Sequence, residues 1–128
     1  MPRINKQETA EHVELPIIEG HYGTVGDFTV GFERYFDERD VAAVFRGLPD
    51  DACQCPHWGV VLKGRLTFTY TDGTVDDLRA GDAYYARPGH TPTFHPDTEV
   101  VEFSPTAELG RTMEVVTRNM QDLEATAS

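Results

Sequence analysis

Two cysteines and a histidine alternate in the stretch CQCPHWGVVLKG, where Cys53, Cys55 and His57 precede an apolar run that ends at Gly64. Alternate side chains of an extended chain point to the same face. Thiolate and imidazole donors suit zinc, copper or iron better than magnesium or calcium. The spacing therefore predicts a transition-metal site. The alternative, that the cysteines pack as small apolar residues, stays open at this point.

A further donor comes from later in the chain. His90 directly follows the turn residues Pro88-Gly89, and it can approach the His57 strand if the strand that contains Tyr84 lies beside it. Of the other histidines, His12, His21 and His95 lie in polar, turn-like segments and are interpreted as surface residues.

The candidate ligands are not equivalent. The sequence favours Cys55, His57 and His90 as metal ligands, with Cys53 as either a fourth ligand or a thiol beside them. A disulfide between the two cysteines would close a very small, strained ring, and a cytosolic chain would keep both thiols reduced. We therefore expect two free thiols.

Polar and aromatic residues on predicted strands can line the same cavity. Glu33 faces away from a row of apolar residues, and Glu102 shares a face with Val100. A buried carboxylate would have a raised pKa and could act as a general acid or base. A solvated position is equally compatible with Glu33 and is favoured for Glu102. Trp58 and Tyr84 can form an aromatic pocket wall or pack in the core.

The pattern of the chain favours short strands separated by turns, followed by one helix. Alternation is clearest in DFTVGFERYF, and Asp72-Gly73 is typical of a hairpin turn. After Pro105 an apolar stripe recurs at helical spacing, at Leu109, Met113, Val116, Met120 and Leu123. These patterns predict an all-β sandwich or barrel with a C-terminal helix.

The predicted organisation is a single domain. We expect a flexible N-terminus over residues 1–11, a β-barrel over 12–105, a helix over 106–123 and a flexible tail over 124–128. The apolar stripe predicts that the helix packs on the barrel or on a partner subunit.

Two segments, CPHWGVVLKGRLTFTYTDG and AGDAYYARPGH, resemble the two sequence blocks of the cupin superfamily, within a match over residues 53–104. Gly64 matches the glycine that ends the first block, and Gly81-Asp82 and Pro88-Gly89 match the second. The resemblance implies a double-stranded β-helix, the cupin barrel, with a bound transition metal.

The ligand positions depart from the cupin pattern. His57 stands where the first block usually has glutamate, and the cysteines stand near the usual histidine pair. His90 follows the turn glycine directly, whereas the second-block histidine usually comes three residues after that glycine. The resemblance therefore implies the fold, with His90 as the transferred ligand, but not a particular metal or activity.

Composition limits the classes of partner. The 128 residues include 22 acidic and 11 basic side chains, for a formal charge of −11, which argues against nucleic acid or an anionic membrane surface as a partner. The sequence has no run of 18 apolar residues and no apolar segment of a signal peptide near its start. We expect a cytoplasmic protein.

These observations predict a small metal-binding cupin that acts on or binds a small organic molecule, with zinc, iron or copper favoured. Oxygenase, isomerase and lyase chemistry all remain open, because one fold supports many reactions. A non-catalytic ligand-binding or sensing cupin and a metal-free structural barrel are the alternatives. A homodimer is expected through edge strands and the apolar stripe of the helix.

Overall fold

The computed structural model describes residues 3–14, 18–36 and 42–127. The strands in these ranges are β1 (Glu11–Glu14), β2 (Ile18–Val25), β3 (Phe28–Tyr35), β4 (His57–Lys63), β5 (Arg65–Tyr70), β6 (Val75–Arg79), β7 (Ala83–Ala86), β8 (His90–Phe94) and β9 (Thr98–Pro105). One helix, α1 (Thr106–Ala127), follows the last strand. Short 3-10 turns occur at Lys6–Glu8, Ala42–Phe45 and Pro49–Asp51. None of the helices in these ranges is long and apolar enough to cross a membrane.

The strands form two antiparallel sheets. The larger has the order β1-β2-β3-β9-β4-β7, and the smaller has the order β6-β5-β8. The predicted all-β architecture with a C-terminal helix is confirmed. Strand β2 was not predicted from the sequence, because its polar residues were interpreted as turn-like.

The main core lies between the two sheets. It includes Val61, Val100 and Tyr35 from the larger sheet, packed with Leu66 and Phe68 from the smaller one. Along each strand these residues alternate with residues on the outer face, as expected for a two-layer β structure. The inner faces therefore determine which polar side chains reach the interior.

The helix packs on the connection between β3 and β4. Leu109, Val116 and Met120 join a second apolar cluster with Val44 and Phe45. Two hydrogen bonds fix this contact, because the Asn119 side-chain amide donates to the carbonyl oxygens of Val44 at 2.7 Å and Arg46 at 2.8 Å. Met113 of the predicted stripe is exposed, and the side chain of Leu123 lies outside the described residues.

Candidate metal centre

Three buried donors meet between the sheets. Their residues are Cys53, His57 and His90, which are 3%, 7% and 1% exposed, and their donor atoms all lie within 4.8 Å of one another. The Cys53 Sγ to His57 Nε2 distance is 3.5 Å. A tetrahedral zinc ion with ordinary Zn–S and Zn–N bonds separates these two donors by about 3.5 Å. The donor set therefore fits a transition-metal ion.

Backbone pairing brings the donors together. His57 begins β4 and His90 begins β8, while Cys53 forms an isolated bridge with His90. The Cys53 amide donates to the His90 carbonyl at 2.8 Å, and the Gly89 amide donates to the Cys53 carbonyl at 2.8 Å. Gly89 has φ 93°, a left-handed conformation that favours glycine. The Pro-Gly turn therefore places His90 beside the cysteine segment.

Both imidazoles have their Nδ1 atoms engaged away from the cluster. His90 Nδ1 lies 2.7 Å from the Arg87 carbonyl oxygen, which can only accept, so this nitrogen carries the proton. His57 Nδ1 lies 2.7 Å from Ser104 Oγ and 3.4 Å from Glu102 Oε1, two oxygens that can accept its proton. The Nε2 lone pairs are then free to bind a metal, an arrangement that supports metal-ligating histidines in many proteins.

Burial also sets the protonation of the donors. It lowers the pKa of His57 and of His90 to about 4, and for His90 the neighbouring His57 adds to the effect. Both rings are therefore neutral at pH 7. Burial raises the pKa of the Cys53 thiol to about 11, so that a metal that binds this sulfur must displace a proton.

A carboxyl pair with three tyrosines lies on the inner face of the larger sheet. Tyr84 donates to Glu102 Oε2 at 2.6 Å, while Tyr22 and Tyr35 donate to the two Glu33 oxygens at 2.7 and 3.1 Å. Burial raises the pKa of both glutamates to about 7, and for Glu33 the charge of Glu102 is a second cause of this increase. Near pH 7 this pair can therefore hold or release a proton.

Cys55 lies outside the donor cluster. Residues 53–56 do not form a strand, so the alternation expected from Cys53 to His57 is not maintained. The Cys55 thiol donates to the Pro56 carbonyl at 3.4 Å, and the side chain packs with Val44 and Val116 in the second apolar cluster. Both cysteines are free thiols.

The predicted pocket residues separate onto two faces. Tyr84 and Glu33 face the interior, as described above. Trp58 lies on the outer face because it alternates with His57 along β4; it is 42% exposed and stacks on Tyr85 at 5.1 Å between ring centroids. Glu102, for which a solvated face was favoured, instead has a side chain only 15% exposed and near His57.

The sequence reasoning missed Tyr22, Tyr35 and Ser104. The sequence signal for buried tyrosines of this kind is a glycine within a strand. A tyrosine ring can lie flat on the sheet only where the neighbouring residue lacks a side chain. A Cβ atom at Gly31 would come within 2.9 Å of the Tyr22 ring, and one at Gly59 would come within 2.6 Å of the Tyr84 hydroxyl. These glycines mark where phenol groups reach the carboxylates.

A groove lies on the other side of the cysteine segment. It has a volume of about 270 Å³ and is lined by Leu48, Pro49, Gln54, Cys55, Glu108, Arg111 and Thr112. These residues come from the connection before β4 and from the first turns of α1. The groove is separate from the Glu33 and Glu102 pair, so the molecule offers two different environments to a small ligand.

Comparison with known proteins identifies the fold. No family model matches the sequence, and no curated protein matches it. Among solved structures, an RmlC-like cupin from Shewanella frigidimarina superposes with a TM-score of 0.54 at 15% identity, over 80% of this chain and 88% of that one. AerE from Microcystis aeruginosa gives a TM-score of 0.56 at 15% identity, over 76% of this chain and 46% of AerE.

A mutant of oxalate decarboxylase from Bacillus subtilis is also similar, with a TM-score of 0.54 at 14% identity, over 80% of this chain and 28% of that one. The chain therefore spans less than half the length of AerE and of the decarboxylase. At such identities the likeness shows the fold alone. The expectation of a cupin fold is confirmed: this chain folds as a cupin.

Proposed function

We propose that this chain is a small cupin enzyme that binds a divalent transition metal and acts on a small organic molecule. Cys53, His57 and His90 hold the ion, and the carboxyl pair of Glu33 and Glu102 exchanges a proton with the substrate. The observation that carries the proposal is the convergence of three buried donors, one thiol and two imidazoles. In both imidazoles Nδ1 is hydrogen-bonded, which leaves Nε2 as the atom for a metal.

The donor chemistry supports zinc, iron or copper as the ion. When bound, such an ion supplies Lewis acidity to a carbonyl or hydroxyl oxygen of the substrate. Within the described part of the chain the cluster offers three donors, and a site with three protein ligands leaves a coordination position for water or substrate. Structural zinc sites, in contrast, have four protein ligands.

The proton is handled by the chain's own residues. With pKa values near 7, set first by burial, Glu33 and Glu102 divide into a carboxylic acid and a carboxylate at neutral pH. Tyr84 holds one oxygen of Glu102, and the other oxygen lies 3.4 Å from His57 Nδ1. Glu102 therefore positions the imidazole and, with Glu33, provides general acid and base groups beside the cluster.

The groove beside Cys55 favours a second candidate, a cupin that binds or senses a small molecule without turnover. Its lining combines apolar side chains with Glu108 and Arg111, a mixture that suits a small polar ligand. In this case the Cys-His cluster serves to stabilise the barrel. A ligand at this groove would be displaced by Arg111→Glu, whereas a substrate beside the carboxyl pair would not.

Metal content tests the main proposal. We expect Cys53→Ser and His57→Asn to contain about one equivalent less of zinc, iron or copper than tag-free wild-type protein by elemental analysis. Cys55→Ser is the matched control, because its thiol is equally buried but contacts Pro56 rather than the donors. Equal metal in wild type and Cys53→Ser would refute the proposed ligand set, and so would a loss confined to Cys55→Ser.

A further inference from the structure

A second cluster of histidine and glutamate lies on the hairpin of β1 and β2. In the register of this hairpin His12 is opposite His21, and Glu14 is opposite Glu19. Residues opposite each other in an antiparallel pair share a face, and so do residues two positions apart. The four side chains therefore form a two-by-two array on one face of the sheet edge.

The donor atoms of this array are close. His12 Nε2 lies 3.7 Å from Glu14 Oε1 and 3.8 Å from Glu19 Oε2, and His21 Nε2 lies 3.6 Å from Glu19 Oε1. The donor atoms of His12, Glu19 and His21 all lie within 4.8 Å of one another. Tetrahedral zinc places its nitrogen and oxygen donors about 3.3 Å apart, so rotamer adjustments are sufficient to close the array around an ion.

The two imidazoles of the array and the nearby Lys6 attract the Glu19 carboxylate, so these donors converge without an ion. The imidazoles of His12 and His21 stack at 4.1 Å between ring centroids with an interplanar angle of 8°. Nearby, Arg34 is opposite Glu19 in the sheet but directs its guanidinium to Asp97 at 3.8 Å. A divalent ion would therefore meet donors that already converge.

The position of the array differs from that of the interior centre. Glu19 and His21 alternate with Gly20 and Tyr22, and Tyr22 belongs to the inner face through its hydrogen bond with Glu33. The array therefore lies on the outer face. The side chains of His12 and Glu14 are 46% and 69% exposed, which leaves the donors accessible to an ion from solvent.

We propose that His12, Glu19 and His21, with Glu14 as an additional ligand, form a second site for a divalent transition metal such as zinc or nickel. The ion would join the short edge strand β1 to β2 and so hold the first described strand in the sheet. Imidazole and carboxylate donors suit these ions, and the charge of the chain, −11, favours cation binding. The site is independent of the interior centre and of any reaction there.

Zinc titration of tag-free protein against a chromophoric chelator tests this site in a Cys53→Ser background, which removes a donor of the interior cluster. We expect Cys53→Ser to bind one equivalent, and the triple variant Cys53→Ser/His12→Asn/His21→Asn to bind at least tenfold more weakly. The zinc bound by wild type should exceed the zinc bound by His12→Asn/His21→Asn by the same amount, whether or not the interior site binds metal. Unchanged zinc binding in both comparisons would overturn the proposal.

A control variant and a second measurement distinguish this site from nonspecific binding by surface histidine. His95→Asn removes a histidine from the turn that follows β8, and it should leave zinc binding unchanged. Zinc should also slow hydrogen exchange of the β1 amides about tenfold in wild type but not in His12→Asn/His21→Asn. An equal loss of zinc binding in His95→Asn, or β1 exchange that zinc does not alter in wild type, would contradict the proposed site.

Discussion

The Glu33 carboxyl group is buried, and burial disfavours its ionised form. Its oxygens accept hydrogen bonds from Tyr22 and Tyr35, yet burial and the charge of Glu102 raise its pKa to about 7. In the unfolded chain a glutamate titrates near pH 4.3. The folded state therefore binds this proton more tightly, and the stability contributed by the protonated form is lost as pH rises from about 4.5 through 7.

Glu33→Gln should remove this pH dependence, because glutamine stays neutral. We expect the free energy of unfolding of the variant, relative to wild type, to increase by about 1–3 kcal/mol between pH 5 and pH 8. Urea unfolding of chelator-treated protein at the two pH values measures the change. Glu114→Gln on the exposed side of α1 is the control, and a pH dependence equal to that of wild type in Glu33→Gln would contradict the expectation.

At the scale of residues, the sequence identified which side chains can act as donors better than it identified where those side chains point. Cys53, His57 and His90 were all among the candidates because their chemistry is evident from the chain. Cys55 was placed among the ligands because alternation was extended through Pro56, where the backbone is irregular. Glu102 was assigned to the solvated face because β9 is apolar on both faces, so alternation alone cannot identify the inner one.

Strand β4 shows how an element can depend on one missing side chain. At Gly59 a Cβ atom would lie 2.5 Å from the Val101 carbonyl oxygen and 2.6 Å from the Tyr84 hydroxyl. Gly59→Ala should therefore destabilise the fold by about 1–3 kcal/mol, since the backbone of β9 cannot move away freely. It should also displace Tyr84 from Glu102.

The helix offers the matched comparison. Gly110 lies within α1 with open space around its Cβ position, so Gly110→Ala should stabilise the protein by about 0.5–1 kcal/mol. Thermal unfolding of both variants measures the two opposite shifts. A destabilised Gly110→Ala, or a Gly59→Ala with unchanged stability, would show that the spaces around these glycines do not determine their effects.

The elements themselves were predictable where their pattern is strong. β3 alternates over its whole length, and Asp72-Gly73 joins β5 to β6, with Gly73 at φ 89°. β2 was missed because its sequence, IEGHYGTV, combines histidine, glutamate and two glycines, which individually favour turns. Its pairing with β3 over eight residue pairs outweighs these local preferences.

At the scale of the whole molecule, the outer face of the larger sheet exposes an aromatic patch. Phe28, Trp58, Tyr85 and Phe103 are 38–50% exposed and come from β3, β4, β7 and β9. Phe28 meets the edge of Trp58 at 6.0 Å and Trp58 stacks on Tyr85, so the patch is continuous. Contiguous aromatic surface is typical of the core of a subunit interface.

We expect a second copy of this chain to cover the patch, which keeps the predicted homodimer but moves its interface from the edge strands and the helix stripe to the outer face of the larger sheet. Light scattering should give twice the mass of one chain at micromolar concentration, and Trp58→Glu should give a monomer. Val75→Glu, at a more exposed apolar position on the smaller sheet, should remain dimeric. A monomeric wild type would contradict this expectation.

The fold was predictable because turn residues and motif spacing survive where ligand identities change. Gly64 and Gly89 both adopt positive φ at the turns that the cupin resemblance marks, although the residues at the ligand positions differ. Turn geometry is a local backbone requirement, whereas a donor set depends on side chains from distant segments. The carboxyl pair, which β3 and β9 bring together, was therefore the part of the site that the sequence could least predict.

The bridge between Cys53 and His90 has an entropic consequence. Its backbone hydrogen bonds join the cysteine segment to the start of β8, so the freedom of both segments was lost when the chain folded. An ion that bound there, as proposed, would therefore order little further chain, unlike the metal of a zinc finger, whose binding free energy is folding free energy. In such a preorganised centre, discrimination among metals would rest on the rigidity of the cavity, and ions would exchange while the two sheets stay folded.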